Sequence, residues 1–284
     1  MIKVGMNLLL WSDNTCFDRH KSLLDFCKEV GFDGVEFNVG VTNSFDECEK
    51  FGAYAKNLGL DVTTVAVFSE AVCNPVSQDA AKRAAVFNEF KKDIDLTVAL
   101  GGTLICGPLY QALGYFTGAR ATEWEWNTSI DVMHPCFEYA QKQGITVAVE
   151  PLNRFETYLI NTVDTGIDYV KQIGLPNVGL LVDTMHSNIE ELNVAQAYKK
   201  ALPYVKHVHI SENDRGIPGT GHACGKEIFD VFRKNGYDGY LTIEAFNLGA
   251  PSLVGALHLW RTFAPSDDEL AKQGHDYIRA MLAV

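Results

Sequence analysis

With 284 residues, 47% of them hydrophobic, the chain is long enough to bury one sizeable core. Asp and Glu number 36 against 24 Lys and Arg, and the formal net charge of -12 opposes a nucleic-acid backbone or an anionic membrane as the main partner. No apolar run reaches membrane-spanning length, and the 7 cysteines, odd in number and without a CxxC pair, suit free thiols in a reducing compartment better than a disulfide frame.

The opening Met1-Ile2-Lys3-Val4-Gly5 lacks the charged region, apolar stretch and cleavage site of a signal peptide, so a cytoplasmic protein is expected. In chain order, a strand over Lys3–Leu9 comes first. An amphipathic helix follows, with Leu23, Phe26, Cys27 and Val30 on one face and Lys21, Asp25, Lys28 and Glu29 elsewhere. A pattern then recurs in which an amphipathic segment ends, a glycine follows and a short apolar strand begins. Gly31 precedes Val35–Phe37, Gly59 precedes Val62–Phe68, and Gly101 precedes Thr103–Cys106. Gly144 precedes Ile145–Glu150, Gly174 precedes Val178–Asp183, and Gly236 precedes Tyr240–Glu244. Each glycine is expected in the left-handed conformation that closes a helix. Pro203 marks one further junction, before Val205–Ile210.

Eight strands separated by helices imply right-handed parallel crossovers, and eight such units in a chain of this length predict an α/β fold, a single-domain (β/α)8 TIM barrel over residues 1–284. The longest irregular stretches, Gly107–Glu123, Ile210–Lys226 and Phe246–Ser266, all follow strands and belong to the C-terminal face. Barrels of this class build their active sites there.

Four consecutive strands carry a metal-ligand candidate at that face: Glu150, Asp183, His209 and Glu244. A Glu at the lip of a buried strand is poorly placed for packing, and Pro151 stops the ladder beyond it. Three carboxylates and one imidazole suit a hard or borderline divalent ion such as Mn²⁺, Mg²⁺ or Co²⁺. Each residue alone has a plainer explanation: Asp183 can cap the helix after it, and His209 can be a satisfied core histidine. Four at successive strand ends are harder to explain that way. Arg154, Glu156, His186 and Arg215 form an outer polar group able to hydrogen-bond a small polyol, and Arg154 can instead orient Glu150 or Glu156. Trp11, Phe68, Trp124, Trp126 and Phe246 are candidates for an apolar wall. His134, His222, His258 and His275 have no role that the pattern assigns.

Glu150-Pro151-Leu152-Asn153-Arg154-Phe155-Glu156, Asp183-Thr184-Met185-His186, His207-Val208-His209 and Ile243-Glu244-Ala245-Phe246 resemble the ketose 3-epimerases of the xylose-isomerase-like barrel superfamily. The resemblance runs over essentially the whole chain and includes Val4-Gly5-Met6-Asn7 and Gly31-Phe32-Asp33-Gly34-Val35-Glu36. It implies that Glu150, Asp183, His209 and Glu244 hold one divalent metal, Mn²⁺ before Co²⁺ or Mg²⁺, and that Glu150 and Glu244 double as the acid–base pair. It further implies that Glu156, His186 and Arg215 bind the substrate near O1 and O2, and that the protein is a homodimer or homotetramer. Two positions depart from the family pattern: Ala245 stands where many relatives have proline, and Ser211-Glu212-Asn213-Asp214-Arg215 differs from the commoner Gly-Glu-Ala-Asn form.

The implied reaction inverts C3 of a free ketose of the D-tagatose, D-fructose/D-psicose or L-ribulose class. A proton must leave one face of C3 and another return to the opposite face, so a carboxylate is needed on each side. A metal chelated by O2 and O3 would hold the developing cis-enediolate. An aldose–ketose or hydroxypyruvate-type isomerase, or an inosose dehydratase-like lyase, would use a similar site. A repair nuclease of the endonuclease IV type shares the Asp-x-x-His motif, but it needs histidines on strands three and four, where this chain has Val67-Phe68 and Cys106-Gly107. A non-enzymatic sugar binder would not need paired glutamates flanking a metal.

Overall fold

The computed structural model describes residues 1–40, 44–247 and 249–284. Short β-branched and apolar runs form strands β1 (Lys3–Asn7), β2 (Gly34–Asn38), β3 (Asp61–Val65), β4 (Leu104–Gly107), β5 (Thr146–Val149), β6 (Val178–Asp183), β7 (Val205–Ile210) and β8 (Tyr240–Ile243). They pair in parallel in chain order, and β8 returns to β1, which closes the barrel. The expected (β/α)8 fold is the one observed. The described helices are α1 (Phe17–Val30), α2 (Phe45–Leu58), α3 (Ala80–Ala99), α4 (Glu123–Lys142), α5 (Val163–Ile173), α6 (Thr184–Glu190), α7 (Val194–Ala201), α8 (Lys226–Lys234), α9 (Leu253–Ala256) and α10 (Asp267–Ala283). Among the described residues, no helix is long and apolar enough to cross a membrane.

The glycine junctions behave as their spacing predicts. Gly31, Gly59, Gly101, Gly144, Gly174 and Gly236 all have positive φ, between 67° and 102°. At Gly31 the backbone N–H returns to the carbonyls of Cys27 and Lys28, which ends α1 and turns the chain toward β2. His275 of α10 donates to the Gly31 carbonyl at 3.2 Å and packs edge-on against Phe32, so this histidine ties the last helix to the first turn.

Several boundaries differ from those read in the sequence. The first strand ends at Asn7, whose side chain accepts the Leu9 N–H and starts a 3-10 turn over Leu8–Leu10. The third ends at Val65 rather than Phe68, and Glu150 and Glu244 each lie one residue beyond their strand. The crossover after β6 is made of two helices, α6 and α7. The stretch Phe246–Ser266 contains the short α9, and its residue 248 lies outside the described residues.

Inside the barrel, Val65, Leu104, Cys106, Ala148 and Leu181 form a small apolar floor. The larger apolar cluster fills the space between strands and helices. Six of the seven cysteines are buried, Cys16 is half-buried, and all are free thiols. Burial raises the Cys48, Cys73 and Cys136 thiols to about 12, well away from thiolate chemistry.

Candidate active site

Strand register brings the sequence candidates together. Asp183 pairs with His209 across β6 and β7, and the Glu244 N–H donates to the Ile210 carbonyl at 3.2 Å. On the other side, the Glu150 N–H donates to the Gly107 carbonyl at 2.9 Å. The His209 Nδ1 therefore faces three carboxylates, with Glu244 Oε1 at 3.6 Å, Asp183 Oδ2 at 3.9 Å and Glu150 Oε1 at 4.0 Å. All four side chains are buried.

Three of those atoms, Glu150 Oε1, Asp183 Oδ2 and His209 Nδ1, are buried without any hydrogen-bond partner. Orphaned polar atoms are costly, and three converging on one point ask for a cation. Burial pushes Glu150 well above the usual carboxylate range, with His209 opposing and Glu244 and Asp183 adding to the rise. Burial likewise takes Asp183 to about 6, where Arg215 pulls down and Glu244 pushes up. Burial disfavours charge on His209, but Glu36 and Glu244 overcome it and raise the imidazole to about 10. The donor set, oxygen-rich with one imidazole, fits a hard divalent ion.

The substrate candidates stand beside this centre. Arg215 Nη1 donates to Glu244 Oε2, while its Nη2 lies 3.5 Å from Glu156 Oε1 and 3.2 Å from His186 Nε2. Asn153 Nδ2 donates to Glu156 Oε1 at 2.9 Å. The Asn153 backbone N–H donates to His186 Nδ1 at 3.2 Å, which leaves the ring proton on Nε2, 3.7 Å from Glu150 Oε1. Burial, then Arg215, holds His186 well below the usual histidine range, so this ring is neutral.

Arg215 has φ of 65°, an uncommon conformation for a side-chain-bearing residue. The turn that imposes it is held by Glu212, whose buried carboxylate accepts the N–H groups of Asn213, Gly219 and Ala223 at 3.1, 2.8 and 2.6 Å. The guanidinium also lies over the Phe246 ring at 5.5 Å.

These groups line a cavity of about 380 Å³ that Leu9, Val65, Val67, Leu113 and Leu253 complete on its apolar side. Four carboxylates line it, Asp13, Glu150, Glu156 and Glu244, and Arg215 is the single Lys or Arg among the described lining residues.

Other candidates are placed elsewhere. Arg154 does not orient Glu150 or Glu156. Its guanidinium forks onto Glu190 at 2.9 Å on the exposed side of the loop. Of the aromatic residues, Phe246 lines the cavity. Trp11 packs on Phe26 and donates to Asp268, Phe68 packs on Phe90, and Trp126 packs on Tyr169. Trp124 is exposed beside Arg83. None of these four lines the cavity.

Sequence reasoning gave no role to Glu36. This carboxylate is fully buried in the barrel interior, 2.8 Å from His209 Nε2 and 2.9 Å from His207 Nε2. A lone Glu between Val35 and Phe37 in a strand buried on both faces was the available signal.

Comparison with known proteins agrees with this picture. The family described as "Xylose isomerase-like TIM barrel" matches residues 24–281. A probable ketose 3-epimerase from Synechocystis sp. is 29% identical over 280 residues, covering 98% of this chain and 96% of the relative. An L-ribulose 3-epimerase from Mesorhizobium japonicum is 30% identical over 283 residues, covering 98% of this chain and 93% of the relative. The crystal structure of a D-allulose 3-epimerase from Methylomonas sp., in complex with D-allulose, superposes with a TM-score of 0.91 at 27% identity, covering 99% of this chain and 97% of that one.

Proposed function

From the premise that the chain belongs to the xylose isomerase-like TIM-barrel family and, within it, to the ketose 3-epimerases, isomerases that act on carbohydrates, we propose that it inverts C3 of a free ketose with Glu150 and Glu244 as the proton-transfer pair. In this reading Glu150, Asp183, His209 and Glu244 hold one divalent cation, Mn²⁺ first and Co²⁺ or Mg²⁺ as alternatives. The observation that carries it is the convergence of the orphaned atoms Glu150 Oε1, Asp183 Oδ2 and His209 Nδ1. The chemistry that a bound divalent ion supplies at this position is Lewis-acid stabilisation of the charge that develops as the C3 proton leaves.

The protein's own groups do the rest. Glu150 and Glu244 approach from β5 and β8, which do not pair with each other, and so can serve opposite faces of one carbon. Their surroundings differ: Glu244 is held by Arg215, while Glu150 has one oxygen free of partners. The neutral His186 presents Nε2–H beside Arg215 Nη2, 3.2 Å away. Both nitrogens can donate to a single oxygen lying beside the pair, and a ketose O1 or O2 supplies one. Glu156 accepts from Asn153 and Arg215 and has lone pairs left for a hydroxyl.

The charge of the cavity supports an unphosphorylated sugar. Its one Arg is already paired with Glu244 and Glu156, so no free cation awaits a phosphate among the described lining residues. D-tagatose, D-fructose/D-psicose and L-ribulose are the substrate class proposed. The Methylomonas relative's complex with D-allulose supports a ketohexose. The same reading takes residues 1–284 as one domain that assembles as a homodimer or homotetramer in the cytoplasm, and the free thiols support a reducing compartment.

The test is incubation of metal-free protein, with and without Mn²⁺, on ketohexoses and ketopentoses in D₂O. C3 epimers carrying deuterium at C3, formed only with metal, are expected. An aldose product or deuterium at C1 would move the assignment to an aldose–ketose isomerase.

A further inference from the structure

Beneath the cation centre, the barrel interior holds a second polar layer that no part of the proton transfer uses. Glu36 on β2 is its hub. Parallel register sets Asn7 of β1 and Thr63 of β3 on either side of it. Asn7 Nδ2 and Thr63 Oγ1 donate to the two carboxylate oxygens at 2.9 Å each. The Cys106 thiol donates to Oε2 at 3.5 Å. His207 Nε2 stands 2.9 Å from Oε2, and His209 Nε2 stands 2.8 Å from Oε1. A carboxylate with 0% exposure is rare unless fully partnered, and this one is.

The consequence runs through His209. A carboxylate only accepts, so the hydrogen bond to Glu36 keeps a proton on Nε2. The opposite nitrogen, Nδ1, is the atom without a partner that faces Glu150, Asp183 and Glu244. Cys106 packs on the same side of the ring, its sulfur 4.0 Å from Nε2. Carboxylate–histidine pairs of this kind fix the tautomer and raise the basicity of a metal-binding nitrogen.

We propose that Glu36 is the positioning residue of the site, holding His209 in the Nε2–H tautomer so that Nδ1 is delivered to a divalent cation. The proposal rests on the reading that a cation binds at Nδ1. Asn7 and Thr63 act one step further out, by keeping the Glu36 carboxylate in place. Cys106 and His207 complete the buried layer around Nε2.

The experiment compares wild-type protein with Glu36→Gln and Thr63→Val, using Mn²⁺ itself as the probe. Mn²⁺ affinity is measured by calorimetry on metal-free protein, and the His209 tautomer by ¹⁵N shifts in histidine-labelled protein with Mg²⁺. Glu36→Gln is expected to raise the Mn²⁺ Kd by roughly 10–100-fold and to populate the Nδ1–H tautomer. Thr63→Val, which keeps the carboxylate, should shift Kd in the same direction by less. In a His209→Asn background, adding Glu36→Gln should change Kd no further, because the effect passes through the imidazole.

A folded Glu36→Gln protein with wild-type Kd and an unchanged His209 tautomer would overturn the role of Glu36. Should that variant fail to fold, an unchanged Kd in Thr63→Val would do the same. Absence of Mn²⁺, Mg²⁺ and Co²⁺ binding by the wild-type protein would instead remove the cation reading on which the proposal rests.

Discussion

The Arg215 guanidinium is hydrogen-bonded to Glu244 through Nη1, on the carboxylate oxygen opposite the one that faces His209. One glutamate is thus shared between the proposed cation centre and the arginine proposed to bind substrate. Arg215→Ala should therefore act on both kinetic constants. KM should rise by about tenfold or more as a substrate oxygen loses its donor, and kcat should fall because Glu244 loses the partner that aims it. Steady-state kinetics on the preferred ketose checks this, and an unchanged KM would remove Arg215 from substrate binding.

Glu150→Gln and Glu244→Gln keep the size of each side chain and remove its ability to take a proton. Each is expected to lower epimerisation by at least about 10³-fold, because inversion needs both faces of C3. Chromatography of the products measures it. Turnover near that of the wild type by either variant would sink the two-base scheme.

Metal removal has a pH signature. Asp183 sits at about 6 in the metal-free fold, above the ordinary carboxylate value, because burial disfavours its charge. A raised carboxylate means that the folded state binds more protons than the unfolded state below that pH, so its share of metal-free stability grows as pH falls from 7 toward 4. A cation competes with those protons and acts in the opposite sense. The rise in Tm on adding Mn²⁺ to chelator-treated protein should be large at pH 7.5 and shrink at pH 5.5. At a concentration 100 times Kd the stabilisation is about 2.7 kcal/mol. Thermal scans at both pH values decide it, and an equal shift at each would contradict the assignment.

Gly107 closes β4 with φ of 132°, and a Cβ there would lie 2.2 Å from the Ala66 carbonyl oxygen. Its own carbonyl accepts the Glu150 N–H. Gly107→Ala should lower Tm by roughly 2–5 °C through strain of about 1–3 kcal/mol, and should weaken Mn²⁺ binding by shifting Glu150. Gly101, also at positive φ but with nothing within 4 Å of its added Cβ, is the comparison. Gly101→Ala should cost about 1 kcal/mol and leave the metal affinity alone.

The barrel and the four converging strand-end residues were legible in the sequence because both follow from local periodicity. Apolar runs after Gly31, Gly59, Gly101, Gly144, Gly174 and Gly236 mark the strands, and the positive φ at each glycine is a local steric consequence. Glu150, Asp183, His209 and Glu244 could be read because a parallel barrel sends every strand end to one face. Strand ends were read less well where side chains intervened, as where Asn7 caps the turn over Leu8–Leu10. Arg154 was ambiguous because its partner Glu190 lies 36 residues away, on a helix whose approach no local pattern encodes.

Tertiary structure alone decided what lies beneath and beside the four. Glu36 is 173 residues from His209, and only closure of the barrel brings their side chains within 2.8 Å. The Glu244 contact with Arg215 depends on a left-handed residue held by Glu212, a geometry that residue type does not encode. Sequence by itself determined which groups are available at the mouth of the barrel, because periodicity and strand polarity are local properties. Which nitrogen of His209 faces the site, and which carboxylate Arg215 restrains, are set by contacts between distant segments, and these exist only once the sheet has closed.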